Sequence, residues 1–278
     1  MESLEFTALI FAGSLLAGFL GALTGLGGGV IVVPFLTEVF HVDIHYAIGA
    51  ALVSVIATSS GAAAAYVREG YSNIRVGMFL EMATTAGALA GAALVVYLHG
   101  SVIAVIFGLV LIYSAIVSLH QGSHPKQDLG PDRIATWLRM DSTYPSGTCL
   151  KSYHVRRVPM GFLLMVVAGV LSGLLGIGSG AVKVLAMDKA MKLPFKVSTT
   201  TSNFMIGVTS AAGAGVYLSR GYIDPGLAMP VMLGVLAGSL TGARELAGAK
   251  VHVLRIVFAI VIGALALEMI YSGITGRI

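Results

Sequence analysis

Long apolar stretches separated by short polar ones run through most of the chain. A helix needs about 20 mostly apolar residues to cross the hydrocarbon core of a bilayer. The pattern therefore predicts eight spanning helices. They cover residues 5–24, 46–67, 76–98, 101–119, 158–175, 197–218, 226–246 and 251–272. Two further apolar pieces, 30–40 and 181–191, are too short to span comfortably, and a polar stretch, 120–157, separates the two sets of helices.

Composition supports a membrane protein. Of the 278 residues, 56% are hydrophobic and only 11% are charged, with a mean hydropathy of +0.90, whereas soluble domains carry about 25% charged residues. The net charge of +4 is small and its basic residues lie mostly in loops, so it indicates membrane topology and not nucleic-acid binding. The single cysteine, Cys149, excludes an internal disulfide and a cysteine-based metal site.

The two halves of the chain are copies of one unit. At a fixed shift of 151 positions they align without a gap, and the matches include residue types that rarely coincide by chance. Among them Thr58-Ser59 falls on Thr209-Ser210, Tyr66 on Tyr217, and Gly70-Tyr71 on Gly221-Tyr222. The sequence thus predicts an all-α integral membrane protein with two repeats of four to five helices. The first repeat is 1–119, the linker is 120–157 and the second repeat is 158–278.

The distribution of Lys and Arg predicts how the repeats are oriented, because these residues concentrate in cytoplasmic loops. The linker holds six of them and is placed inside: Lys126, Arg133, Arg139, Lys151, Arg156 and Arg157. A parallel repeat would put six basic residues of the second half outside: Lys189, Lys192, Lys196, Arg244, Lys250 and Arg255. An inverted repeat puts them inside and leaves only Arg220 and Arg277 outside. We therefore expect inverted-topology repeats.

Each short apolar piece follows a glycine cluster, and the second cluster aligns with the first. The clusters contain Gly27, Gly28 and Gly29 in the first repeat and Gly178, Ser179 and Gly180 in the second. Inverted repeats with broken helices are a recurring transporter plan, with the substrate near the middle of the membrane. Free N–H groups and the dipole at a helix N-terminus attract anions. The clusters are therefore predicted to surround a small anion; the alternative is that the glycines only allow close helix packing.

Polar residues near the second cluster are further candidates for binding. Lys183 lies three residues after Gly180, and its counterpart in the first repeat is Val32. A buried cation there would favour an anionic substrate, whereas a lysine on a short helix could instead extend to the interface; the sequence does not decide. Hydroxyl and amide groups could bind an oxyanion or could join helices. The candidates of this kind are Thr58, Ser59, Thr201, Ser202, Asn203 and Thr209.

Enzyme chemistry has little support in the sequence. Glu81 and Glu268 lie within or near spans, and their positions near span ends favour solvation at the interface over a proton relay. There is no nucleophile–base pair, no zinc spacing such as HExxH and no phosphate-binding loop. We accordingly expect no enzyme activity, no cofactor and no metal site.

Several ordered segments resemble a known family. GLGGGVIVVPFL, GIGSGAVKV, TTTSNFMIGVTSAAGAGVYLSRGYIDP and VMLGVLAGSLTGA are similar to segments of the TauE/SafE family of sulfite-exporter-type transporters. The resemblance covers nearly the whole chain outside the linker. It implies a multi-pass protein of the plasma (inner) membrane that moves sulfur-containing anions such as sulfite, sulfonates or sulfoacetate. The chain departs from the family pattern at Ser179, where a glycine is usual, and at Leu185, the counterpart of Pro34.

The resulting hypothesis is a secondary transporter that moves a small anion by alternating access at a midplane site between the repeats; the family resemblance implies a sulfur-containing oxyanion. Its partners are the anionic solute and the lipid bilayer, with a coupling ion of either proton or sodium type, and no nucleic acid. Three alternatives remain at this stage: a passive anion channel, a membrane-embedded enzyme, and a scaffold for a partner protein.

Overall fold

A computed structural model of the chain describes residues 3–24, 28–68, 72–119, 132–146, 149–245 and 251–276. These residues form eleven α-helices and one two-stranded antiparallel sheet. The helices are α1 (Ser3–Thr24), α2 (Gly29–Pro34), α3 (Ile44–Arg68), α4 (Ile74–Leu94), α5 (Gly100–Leu119), α6 (Arg133–Trp137), α7 (Val158–Leu175), α8 (Gly180–Leu185), α9 (Phe195–Ser219), α10 (Pro225–Glu245) and α11 (Val251–Thr275). The strands are β1 (Ser142–Ser146) and β2 (Cys149–Tyr153).

The eight long helices match the eight predicted spans, with ends that differ by a few residues. Three stretches of the described chain have the length and hydropathy of a complete membrane span. They are Ile74–Tyr97, Val158–Leu175 and Pro225–Gly242. Apolar side chains also cover much of the outer surface, as expected where lipid replaces water. The prediction of an all-α integral membrane protein is confirmed.

The two short apolar pieces are helical, and neither is long enough to span. The six residues of α2 continue into a π-helical turn, Phe35–Val39, and those of α8 into another, Ala186–Ala190. Eleven residues of helix cover roughly 16 Å, about half of the hydrocarbon thickness. The π turn follows both Pro34 and Leu185, so proline is not its cause, and the sequence difference at this position leaves the local fold unchanged.

Secondary structure repeats at the same shift as the sequence. Adding 151 to the bounds of α2, α3 and α4 gives the bounds of α8, α9 and α10, and the two π turns correspond in the same way. Helices also pair across the halves in a reciprocal manner: α1 packs on α10 as α4 packs on α7. A twofold relation between two copies of one unit produces such reciprocal pairs.

The directions of the paired helices follow from the places where their backbones meet. Gly207 of α9 faces Ser59 of α3, and further along α9 Gly213 faces Leu52, earlier in α3, so these counterparts run antiparallel. Helices α5 and α11 are likewise antiparallel, since Gly108 faces Ile270 while Gly273, later in α11, faces residues earlier in α5. Counterparts that run in opposite directions are what an inverted repeat requires. Their orientation in a membrane stays a prediction.

The described part of the linker packs on the end of α4. Asn73 caps α4 by accepting a hydrogen bond from the Val76 N–H at 3.1 Å. Its side-chain amide donates to the Met140 carbonyl and to the Tyr153 hydroxyl, both at 2.8 Å, and its backbone N–H donates to Thr201 Oγ1 at 3.0 Å. Burial raises the pKa of Tyr153, so the hydroxyl stays neutral. Asn73 thus joins the linker, α4 and α9.

The short helix α6 carries Trp137 at the surface of the linker. Asp132 caps it by accepting a hydrogen bond from the Ile134 N–H at 3.1 Å. The Trp137 side chain is 82% exposed, although it is a large aromatic group that water would normally drive inward. An indole placed in this way suits the headgroup layer of a bilayer.

Candidate functional site

The second helix break is built by residues in left-handed backbone conformations. Helix α7 ends at Gly176, which has φ +70°, and Gly178 follows with φ +66°. Ser179 has φ +44°, a region that glycine occupies without cost and serine does not. The Ser179 hydroxyl donates to the Ala168 carbonyl at 2.5 Å, which holds the break against α7. The turn therefore positions the start of α8 and everything that α8 carries.

The first break differs from the second at the position of Ser179. Its counterpart, Gly28, has ordinary helical angles of φ −68° and ψ −24°. Gly28 and Gly29 are described and buried, whereas Gly27 lies outside the described residues. The usual glycine is thus replaced by serine in the repeat where the backbone is left-handed, so the two breaks are not symmetric.

The two breaks meet at α3. A Cβ added to Gly29 would lie 2.7 Å from Val55 Cγ2 and 3.2 Å from the Gly176 carbonyl oxygen. A Cβ added to Gly178 would lie 3.2 Å from Val55 Cγ1, and one at Gly180 would lie 2.7 Å from Ile206 Cδ1. In this conformation the cluster glycines permit close packing between the halves.

A buried polar network lies beside the second break. Lys183 of α8 is fully buried, with 0% exposure, and its Nζ donates to Thr209 Oγ1 of α9 at 2.5 Å. Thr209 Oγ1 lies 2.6 Å from Glu81 Oε1 of α4. Because the threonine hydroxyl accepts from the ammonium group, its single hydrogen is free to be donated to the carboxylate. Three helices thus contribute one residue each to a Lys183–Thr209–Glu81 chain.

Other hydroxyls of α4 complete the surroundings of Glu81. Thr85 donates to Glu81 Oε1 at 3.2 Å, and Thr84 Oγ1 lies 3.3 Å from Thr209 Oγ1. Glu81 is only 8% exposed, and its Oε2 atom is buried with no hydrogen-bond partner among the described residues. One carboxylate oxygen is thus bonded and the other is not.

Two sequence interpretations are changed by this geometry. Of the two alternatives left open for Lys183, extension to the membrane interface is excluded, because the side chain is fully buried. The interpretation that Glu81 is solvated at the interface is wrong: the linker and α9 pack over that end of α4 and bury it. Glu268, by contrast, is exposed on α11. The sequence signal that could have found Glu81 was its place inside a predicted span.

The network joins the two repeats, since Glu81 belongs to the first and Lys183 and Thr209 belong to the second, but the positions related to it by the repeat carry no such set. The counterpart of Thr209 is Thr58, but the counterparts of Lys183 and Glu81 are Val32 and Met232. Thr58 accordingly donates to carbonyls of its own helix, to Ser54 at 3.1 Å. Among the described residues, the duplicated framework therefore carries this charged network at one of its two equivalent places.

The remaining predicted binding residues occupy different positions. Ser59 is buried and donates to the Ile56 carbonyl of its own helix at 3.1 Å. Thr201 accepts from the Asn73 backbone, and Ser202 donates to the Gly180 carbonyl at 3.3 Å. Asn203 is half-buried on α9. Of the predicted side chains, Lys183 and Thr209 lie together in one network, and the others mainly join helices in this conformation.

Among the described residues, no three His, Cys, Asp or Glu side chains lie close enough to form a metal site. The polar groups near the break are an ammonium, a carboxylate and hydroxyls. Such a set can hold an anion, a proton or water.

Comparison with known proteins identifies the family. A family profile described as "Sulfite exporter TauE/SafE" matches residues 10–269, which is nearly the whole chain. The chain belongs to the TauE/SafE family. Membership confirms the resemblance seen in the sequence and indicates a multi-pass membrane transporter and not an enzyme.

Relatives in this family are distant in sequence and similar in length. The probable membrane transporter protein YunE of Bacillus subtilis is 27% identical and covers 98% of this chain and 99% of its own. YdhB of the same organism, also described as a probable membrane transporter protein, is 27% identical over 85% of this chain and 87% of its own. MJ0441 of Methanocaldococcus jannaschii, with the same description, is 25% identical over 97% of both chains. No solved structure matches the chain.

Proposed function

We propose that this TauE/SafE protein is a secondary transporter of a small sulfur-containing oxyanion, of the sulfite, sulfonate or sulfoacetate type, in the plasma membrane. The observation that carries the proposal is the fully buried ammonium group of Lys183 beside a helix break. The sulfur class comes from the family description, and the anionic charge comes from the lysine.

Unused hydrogen-bond capacity at Lys183 supports an anionic substrate. An ammonium group has three N–H donors, and the described residues give it one acceptor, Thr209 Oγ1. A charged group in the membrane interior is costly unless it is paired and hydrogen-bonded. An oxyanion offers several acceptor oxygens and a compensating charge. Two free donors on a buried cation are therefore suited to bind such a ligand.

Helix architecture supports alternating access as the mechanism. Counterpart helices run antiparallel, and the two breaks pack against one another through Val55. We propose that the halves, residues 1–119 and 158–278, form inverted repeats and rock against each other, with the linker on the cytoplasmic side. Separation at the breaks would expose Lys183 and the N-termini of the short helices to one side of the membrane at a time. The other predicted binding residues, Thr201, Ser202 and Asn203 among them, would then line the opening.

Exchange in proteoliposomes tests this function. The purified protein is loaded with one unlabelled anion, and uptake of the labelled anion is followed for sulfite, sulfate, thiosulfate, methanesulfonate, taurine, sulfoacetate and small carboxylates. A carrier shows trans-stimulation, in which internal anion accelerates uptake, and saturates with external anion. We expect both for at least one sulfur oxyanion. A flux without trans-stimulation would indicate a channel, and no flux for any anion would contradict the proposal.

A further inference from the structure

Glu81 is the last residue of the hydrogen-bonded chain that begins at Lys183, and the proposed function assigns it no role. We infer that Glu81 is the proton-binding residue of this transporter, and that one proton is taken up at Glu81 when an anion binds beside Lys183. The inference rests on the proposed function and adds its coupling ion.

The first argument concerns the hydrogen bonds of the carboxyl group. Glu81 Oε1 accepts from Thr209 and Thr85, whereas Oε2 is buried without a partner among the described residues. A bare carboxylate oxygen in an apolar setting is costly. The oxygen that lacks a donor is the one able to carry a proton when the site is loaded.

The second argument concerns charge. In the empty site the Lys183 ammonium and the Glu81 carboxylate cancel, since Thr209 bridges them. When a monovalent anion binds at Lys183, the site acquires one net negative charge, which the membrane interior disfavours. A proton on Glu81 restores neutrality. Binding of the anion and of the proton is thus mutually favourable, and each must strengthen the other.

The third argument concerns the ionisable groups around Glu81 in the described part of the chain. The linker that covers this end of α4 contributes the neutral Tyr153 to the buried cluster there. Helix α7, packed on α4, has no ionisable side chain. The ionisable side chains of α9 are Lys196 and Tyr217, each more than two turns from Thr209. The other ionisable side chain of α4 is Arg75, which donates to the Arg139 carbonyl at the linker end of the helix. Lys183 is the charged group that faces Glu81. A positive group so close also disfavours sodium at this carboxylate.

Wild-type proteoliposomes provide the first measurement. Anion affinity is determined at a series of pH values, with the anion that exchanges best among those whose charge does not change over this range. Methanesulfonate is used if the protein carries it. The pH inside the liposomes is followed with a trapped dye. We expect affinity to fall as pH rises by up to about tenfold per pH unit, the limit for one linked proton. Anion entry should acidify the lumen. A pH gradient should drive accumulation of a monovalent anion, and a membrane potential should not.

The variant Glu81→Gln provides the second measurement, because glutamine keeps the shape and cannot titrate. Affinity should become independent of pH, and the pH gradient should no longer drive accumulation, while anion exchange remains detectable. Glu268→Gln is the matched control: it removes an exposed glutamate in α11 and should keep the wild-type pH dependence.

Each result has a distinct meaning. Wild-type exchange with no pH dependence and no proton movement overturns the inference and leaves the proposed function standing. Accumulation that a pH gradient still drives in Glu81→Gln also overturns the inference, and so does accumulation driven by sodium. Absence of any anion exchange in the wild-type protein contradicts the proposed function itself. If Glu81→Gln does not fold, Glu81→Asp replaces it: it moves the titrating carboxyl by one methylene, and a pH dependence identical to that of the wild type overturns the inference.

Discussion

Removing the charge of Lys183 should destabilise the protein because Glu81 loses its buried counter-charge. Hydrogen bonds of 2.5 and 2.6 Å through Thr209 place Lys183 Nζ within about 5 Å of Glu81 Oε1. At that separation the attraction is about 3 kcal/mol for an effective dielectric constant near 20. Removal of one partner of a buried pair costs about 3–5 kcal/mol. We expect Lys183→Met to lower the free energy of unfolding by an amount in this range.

A double-mutant cycle tests this interpretation. Glu81→Gln leaves the ammonium unpaired and should also destabilise, whereas Lys183→Met combined with Glu81→Gln removes both charges and should recover most of the loss. For a chain of this size, 3 kcal/mol corresponds to a shift of roughly 6–12 °C in melting temperature. Melting is measured in one detergent for all variants. Lys151→Met, which removes an exposed linker lysine, should match the wild type.

Acidification gives an independent check of the same cycle. In Lys183→Met the isolated carboxylate can be relieved by a proton, so the deficit should shrink as pH falls. The double variant has no such group and should show no such recovery. If the two single losses simply add in the double variant, or if Lys183→Met melts like the wild type at neutral pH, the two residues do not form a coupled buried pair.

Three further predictions follow from the fold. Labelling of a cysteine in place of the exposed Trp137, with Cys149 removed, should report a cytoplasmic linker, and both termini should label from outside; a cytoplasmic C-terminus would contradict inverted repeats. Gly238→Ala should lower the melting temperature, since its Cβ would clash with a backbone carbonyl of α1, while Gly215→Ala, which meets nothing within 4 Å, should not. Gly180→Val should reduce anion exchange far more than it reduces the melting temperature, because its nearest neighbour is the flexible end of a side chain; parallel losses would make this glycine purely structural.

The helices and the repeat could be predicted from the sequence because their signals are local or periodic. Apolar length gave the eight long helices, and the glycine clusters gave the short ones after each break. The glycine clusters predict that the helix breaks but not the backbone angles at the break. Gly28 has helical angles, whereas its counterpart Ser179 has left-handed ones. The Ser179 hydroxyl bonds to the Ala168 carbonyl on the preceding helix, a contact that the spacing of glycines does not predict.

The candidate site could be predicted only in part. Lys183 is an unusual residue for a short apolar helix, and its counterpart in the first repeat is the apolar Val32. Both features single it out in the sequence. Glu81 was misjudged because burial of a helix end is decided by what packs over it, and here the covering residues, such as Met140 and Tyr153, come from the polar linker. Thr58 and Thr209 are equivalent in sequence and differ in partners, since only Thr209 has charged residues beside it.

Equilibrium binding to the double variant tests the central claim most directly. Lys183→Met with Glu81→Gln lacks the buried cation but is expected to be stable, so loss of binding cannot be attributed to unfolding. Loss of a charge-assisted contact costs about 1.5–3 kcal/mol, or roughly ten- to a hundredfold in affinity. The account predicts that the anion exchanged by the wild type binds the double variant at least tenfold more weakly and binds Lys151→Met normally. Unchanged affinity in a double variant that melts like the wild type would contradict a role for Lys183 in anion binding.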